Sequence, residues 1–271
     1  MPEVAIDVER LNLVIEIGGI PVRLNTTDAN FLRLLQRRYS GFVARADRVE
    51  VDFDVALTPP AFGSSDAGVR VRRCSGQWLL ERGDFRAEWE PVSRKGSIRQ
   101  SANPYSIDSV LRIVHTLALA REGGFLLHAA SAIRNGKAFL FAGVSGAGKT
   151  TISRLAPSDA TLLTDEISYV RKQDDSYIAF GTPFTGELAK LGENTSAKIA
   201  ALYLLAQGPR NRIEPVSSGE ATRSLLANVL FFAEDPVLVQ MTFHSAFEFV
   251  SRVPVSRLTF VPDSKVWELI G

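Results

Sequence analysis

The stretch Ala138–Val170, AFLFAGVSGAGKTTISRLAPSDATLLTDEISYV, constrains this chain more than any other part of it. An apolar run of strand character leads into glycines at positions 143, 146 and 148, and a helix start follows at once. Gly143–Thr150, GVSGAGKT, fits G-x-x-x-x-G-K-[ST], and its place between strand and helix is the context that makes the pattern informative. The glycines let the backbone turn tightly with its N–H groups pointing inward, and the helix start adds positive potential, so such a loop cradles phosphate oxygens. Gly143, Val144, Ser145, Gly146, Ala147, Gly148, Lys149, Thr150 and Thr151 are therefore the expected nucleotide-binding residues. Lys149 is expected to reach the β- and γ-phosphates, and Thr150 to ligate Mg²⁺.

Asp165 and Glu166 close the run TLLTDE. A carboxylate at the C-terminal tip of a neighbouring parallel strand lies beside such a cradle, because ligands of open α/β sheets sit outside those ends. It can hold Mg²⁺ or take a proton from an attacking hydroxyl.

The rest of the chain divides by hydrophobic period. Up to about Ser101, apolar residues recur at every second position, as in LNLVIEIGGIPVRL and VEVDFDVALTP, which is the pattern of half-buried strands. Gly18-Gly19 reads as a hairpin turn, and TTDANFLRLLQRRYSGF as one helix capped by Asp28. TPPAFGSSDAG reads as a surface loop and SRKGSIRQSANP as a connection. From Ser106, SIDSVLRIVHTLALAREGG has a helical face ending at glycine, and FLLHAASAI, KAFLFAGV, TLLTDEISYV and AKIAALYLLAQ read as strands covered on both faces. Helices are expected near Ser218, at Asp235-Pro236 and after Asp263. The chain thus reads as a small β-rich (α+β) unit over residues 1–103, with possible substrate or partner binding, followed by an α/β unit over 104–271.

Composition excludes several classes. Lys and Arg number 31 against 30 Asp and Glu, for a formal charge of +1, so the broad positive field of a nonspecific nucleic-acid binder is missing. One cysteine, Cys74, allows no intrachain disulfide and fits a reducing compartment. No run approaches the roughly 18 apolar residues of a membrane span, and the N-terminus lacks a signal-peptide pattern. A cytoplasmic protein without a membrane or nucleic-acid partner is the expectation.

Taken together, His128 in LLHAASAI, Lys149 in FLFAGVSGAGKTT and Asp165 in LLTDE resemble the HPr kinase/phosphorylase C-terminal domain and its related kinases, whose nucleotide-binding core phosphoenolpyruvate carboxykinases share. The resemblance covers Phe125–Val170, and more loosely Phe180–Glu187 and the C-terminal segment. It implies an α/β P-loop kinase core and transfer from ATP, with Mg²⁺, to a serine hydroxyl of a protein or peptide. It places His128 at the active-site histidine, Asp165 at the acid/base and Glu166 at the second acidic position. Glu187 joins Thr150, Asp165 and Glu166 as a candidate magnesium ligand. Bifunctional members of that family carry two aspartates where this chain has Asp165-Glu166, and their downstream phosphorolysis signature is not recognisable here. Both departures point to a kinase-only relative and away from HPr itself as substrate. A homo-oligomer is compatible with the resemblance.

Arg210 and Arg212 in GPRNRIEP are the arginines available downstream, and Arg212 is the candidate phosphate contact. His115 and His244 read as packing or surface residues, and Trp78, Trp89 and Trp267 as core or interface. Two alternatives stand beside the peptide or protein kinase: a nucleotide-gated binding module or NTPase, and a small-molecule (amino acid) kinase.

Overall fold

The computed structural model describes residues 10–59, 68–188 and 192–271, which form a mixed α/β protein with two large sheets. The expected surface loop TPPAFGSSDAG lies mostly outside the described residues. Contacts divide the chain into two compact units, Met1–Leu111 and Arg112–Gly271. The division falls within the helix Pro104–Arg121, where the sequence placed a boundary between residues 103 and 104. Among the described residues no helix is long and apolar enough to cross a membrane.

Among the described residues the first unit is built on eight strands: β1 (Leu11–Ile17), β2 (Ile20–Thr26), β3 (Val43–Ala44), β4 (Val51–Leu57), β5 (Arg70–Cys74), β6 (Gln77–Arg82), β7 (Phe85–Glu90) and β8 (Lys95–Gln100). Their order is β3-β1-β2-β4-β8-β7-β6-β5, with β4 parallel to both its neighbours. Gly18 and Gly19, both at positive φ, turn β1 into β2, as the two-residue hairpin requires. Helix α1 (Ala29–Arg38) starts at Asp28, whose side chain accepts from the amides of Asn30 and Phe31. Trp78 and Trp89 face each other across β6 and β7, and both are buried.

β8 corrects the expectation of a connection over Ser93–Pro104. Its sequence, KGSIRQ, offers one large apolar residue, Ile98, yet it lies between β4 and β7 in the middle of the sheet. Gly96 is what admits it there. A Cβ at that position would stand 2.4 Å from Phe53 Cε1 and 2.5 Å from the Glu88 carbonyl oxygen.

The second unit begins within α2 (Pro104–Arg121) and carries β9 (Phe125–Arg134), β10 (Lys137–Ala142), α3 (Lys149–Arg154), β11 (Thr161–Thr164), β12 (Ile167–Gln173), β13 (Ser176–Phe180), β14 (Ser196–Gln207), β15 (Arg212–Pro215), α4 (Ser218–Asn228), β16 (Val229–Leu230), α5 (Pro236–Arg252) and β17 (Val255–Phe260). Ser217 caps α4 by accepting from the Glu220 amide, and Asp235 caps α5 ahead of Pro236. The element expected after Asp263 is a 3₁₀ helix, Ser264–Leu269.

β10, β9, β12, β13 and β14 pair in a closed circuit, because β14 meets β13 through its first residues and β10 through the next. One apolar cluster lies on one face of this sheet, with Leu127, Leu140, Leu202 and Phe249. Another lies on the opposite face, with Phe141, Ile152, Phe260 and Trp267. Covering on both faces explains why these strands read as continuous apolar runs.

The strand before the acidic pair is not a parallel neighbour of β10. β9 lies between them and is antiparallel to both, so β10 and β11 run the same way with one strand separating them. The consequence is functional. The first half of β9, where His128 and Ala129 stand, lies opposite the C-terminal ends of β10 and β11: Ala129 pairs with Ala142, and His128 with Ile167.

Candidate active site

The loop from β10 to α3 passes over the ends of the parallel strands β10, β14 and β17. Gln207, the last residue of β14, donates from Nε2 to the Gly146 carbonyl at 2.7 Å. Gly146 and Gly148 hold φ values of 78° and 112°, a region that side-chain-bearing residues rarely enter. At Gly148 space is also short, since a Cβ would meet the Phe260 ring at 2.6 Å. Lys149 turns back over the loop and donates to the carbonyls of Gly143 at 2.9 Å and Val144 at 3.4 Å. Burial pushes the Lys149 pKa down, and the charges of Glu166 and Glu187 pull it partly back.

A cavity of about 280 Å³ opens on this loop, lined by Ser145, Gly146, Gly148, Lys149, Thr150 and Thr151 on one side. His128, Asp165, Glu166, Gly186 and Glu187 complete the wall. Of the expected nucleotide-binding residues, Gly143, Val144 and Ala147 do not line it. Gly143 contributes its carbonyl to Lys149, while the Val144 side chain is 77% exposed.

Each acid is held differently. Thr164 Oγ1 accepts from the amides of Glu166 and Ile167 and donates to the Phe184 carbonyl, which ties the acidic turn to the segment after β13. Asp165, only 3% exposed, accepts from the backbone amides of Gly186 and Leu188, both at 2.9 Å. Gly186 permits this approach, because a Cβ there would stand 2.9 Å from Asp165 Oδ2. Thr150 Oγ1 donates to Glu187 Oε2 at 3.3 Å. Glu166 faces Arg112 Nη2 at 3.5 Å, and that guanidinium lies over the Phe184 ring, 4.9 Å from its centre.

His128 is held below the ordinary imidazole pKa by burial first, then by the charges of Lys149 and Arg112, so it is uncharged near neutral pH. His115 is fully buried on α2, with Nδ1 3.2 Å from the Tyr169 hydroxyl, and burial pushes its pKa down to about 3. It is a packing residue, as expected, and His244 is exposed on α5.

Two groups of expected site residues are arranged in ways the sequence does not show. Arg212 lies on β15, pairs with Glu214 at 2.9 Å and is absent from the cavity wall; its strand is antiparallel to β17 at the margin of the sheet. Thr150, Asp165, Glu166 and Glu187 do not form one protein cage for a metal. Among the described residues no three His, Cys, Asp or Glu side chains converge in that way. Asp165 is turned to backbone amides, Glu166 to Arg112 and Glu187 to Thr150. The hard oxygens of Thr150 and Glu187 remain together, which fits Mg²⁺, an ion commonly held by one or two protein oxygens with phosphate and water completing its shell.

Sequence reasoning passed over Arg112, which sits among Val110, Leu111, Ile113 and Val114. A lone cation embedded in an apolar helix face was the signal available.

A family model described as SynChlorMet cassette protein ScmC matches residues 97–271, well over half of the chain. A search of curated proteins gave no match. Among solved structures, the HPr(Ser) kinase/phosphatase from Coxiella burnetii aligns over 50% of this chain and 84% of its own, at 10% identity and a TM-score of 0.26. A likeness that low carries no argument about fold or activity.

Proposed function

The chain belongs to the ScmC family of SynChlorMet cassette proteins, and we propose that it is a phosphotransferase, moving the γ-phosphoryl group of ATP with Mg²⁺ to a Ser or Thr hydroxyl of a peptide or protein. One observation carries the reading: a glycine loop, its lysine, a threonine–glutamate oxygen pair, a buried aspartate and an uncharged histidine all line one small polar cavity. The motif accounts for the loop and lysine, and the topology of β9, β10 and β11 accounts for the histidine and aspartate.

At about 280 Å³ the cavity falls just under the size of typical ligand pockets, about 300–1,000 Å³, so it suits the polyphosphate end of a nucleotide rather than the whole molecule. Bound ATP supplies the phosphoryl group, and Mg²⁺ offsets charge on its oxygens. Lys149 exchanges the carbonyls of Gly143 and Val144 for phosphate oxygens. Thr150 and Glu187 would hold the metal. Asp165 takes the proton of the attacking hydroxyl; each of its oxygens has one lone pair oriented by a backbone N–H and another left to accept. His128 orients the hydroxyl without adding charge. The choice of ATP and of a Ser or Thr acceptor rests on the resemblance to HPr kinases, and the β-rich first unit is the part we assign to holding the peptide, with β5 at the margin of its sheet as a strand to extend.

The test is incubation of the purified protein with γ-labelled ATP, Mg²⁺ and Ser- or Thr-bearing peptides encoded beside its gene. Label on a peptide hydroxyl, lost in Lys149→Ala and Asp165→Asn, is the expected result. Nucleotide binding with release of free phosphate alone would replace this reading with that of an NTPase or nucleotide-gated module.

A further inference from the structure

Arg112 has no part in the reading above, yet it stands beside the acidic pair. Its guanidinium is fixed by packing: Phe184 lies beneath it at 4.9 Å from ring centre to Cζ, itself 1% exposed and tied through its carbonyl to Thr164 Oγ1. Its Nε is buried without a hydrogen-bond partner. The group's polar reach is therefore toward Glu166, where Nη2 stands 3.5 Å from Oε2. Glu166 and Lys149 also line the wall of the same small cavity. One carboxylate thus contacts a cation within α2 and shares a cavity with another at the start of α3.

The two cations are not equivalent. Lys149 is the first residue of α3 and, among the described residues, donates to backbone carbonyls, partners it can exchange. Arg112 sits within α2, over the ring of Phe184, whose carbonyl accepts from Thr164 of the acidic turn. An ammonium paired with a carboxylate has lost much of its attraction for phosphate, because opposite charges at contact offset each other at range.

We propose that Arg112 is a positioning residue acting through Glu166: it holds that carboxylate toward α2 and away from the Lys149 ammonium, keeping the lysine available to phosphate. The inference rests on the nucleotide-binding part of the proposed function. It makes no use of the phosphoryl acceptor, so it can be tested before the acceptor is known.

The test is a fluorescence titration with a labelled ATP analogue, with and without Mg²⁺, on the full chain and on Arg112→Ala, Arg112→Lys, Glu166→Gln and the Arg112→Ala/Glu166→Gln pair. Removing Arg112 should weaken metal-free binding about tenfold, and in the double variant binding should return to within about twofold of Glu166→Gln alone, the signature of two residues that act as a unit. Arg112→Lys, which keeps the charge and the fold, should lose less than Arg112→Ala. Unfolding midpoints of all variants separate lost affinity from lost structure. If Arg112→Ala binds as the wild type does, or if the double variant is as weak as Arg112→Ala, the inference is overturned; the second outcome would mean direct contact with phosphate or a purely structural role. Wild-type protein that binds no nucleotide overturns the proposed function and this inference with it. Wild-type binding that is lost in Lys149→Ala but indifferent to Arg112 overturns the inference alone.

Discussion

Acids inside the first unit and acids around the candidate site of the second are held in opposite ways. In the first, Asp108 accepts from Arg38 Nη2 and the Tyr39 hydroxyl, each at 2.6 Å, and Asp84 accepts from Arg82 and from Ser106. Burial alone would raise the Asp84 pKa, but the hydrogen bonds from Arg82 and Ser106 outweigh it and hold the carboxyl below its usual range. Each of these acids has a short, charged partner. In the second unit, Asp165 is held by backbone amides, Glu187 by a hydroxyl at 3.3 Å and Glu166 by a guanidinium at 3.5 Å. Short ion pairs spend a carboxylate on stability. Amides and long contacts fix its place and leave charge for a ligand to meet.

The comparison breaks first at Asp108. Asp108→Ala removes the buried acceptor that half-buried Arg38 and the Tyr39 hydroxyl share, which should cost about 2 kcal/mol of stability in a urea titration. The same measurement on Glu187→Ala should show far less, since its partner is an exposed hydroxyl; a comparable loss would place Glu187 with the structural acids. Next in size, Lys149→Ala should lower phosphoryl transfer by about 100-fold while leaving the unfolding midpoint nearly unchanged, as expected for a charge that acts on the reacting group.

His115 gives a pH signature within the second unit. Its folded pKa is depressed to about 3 from 6.5, so the folded chain refuses a proton that the unfolded chain accepts between those values. Stability from this group is therefore complete above about pH 6.5 and falls by roughly 1 kcal/mol per pH unit as pH drops toward 3. Urea unfolding across that window should show the slope, and His115→Leu should remove it. The smallest effect is expected at Arg212. Half-exposed and paired with an equally exposed Glu214, it contributes under about 1 kcal/mol, so Arg212→Ala should leave both stability and transfer close to wild type. A large loss of transfer would return it to the site.

Much of this could be read before any coordinates. The glycine loop, its lysine and its threonine follow from local chemistry, because a tight turn before a helix admits few residues and GVSGAGKT supplies them. The helix starts at Asp28 and Asp235 and the hairpin at Gly18-Gly19 are legible for the same reason: caps and turns are short-range events. β8 was not legible. Its pattern carries a single large apolar residue, and its place depends on Phe53 and Glu88 leaving room only for Gly96.

The same division runs through the candidate site. The sequence by itself determined a glycine loop with its lysine and an acidic pair, since both are contiguous runs whose chemistry depends on neighbours along the chain. Only the tertiary structure decided that His128 reaches the cavity from a strand lying between β10 and β11, that Asp165 is oriented by the amides of Gly186 and Leu188, that Arg112 and not Arg212 stands beside Glu166, and that Glu187 meets Thr150. These contacts join residues far apart in the chain. Their partners are selected by strand order and packing, which a one-dimensional pattern of residue types does not contain.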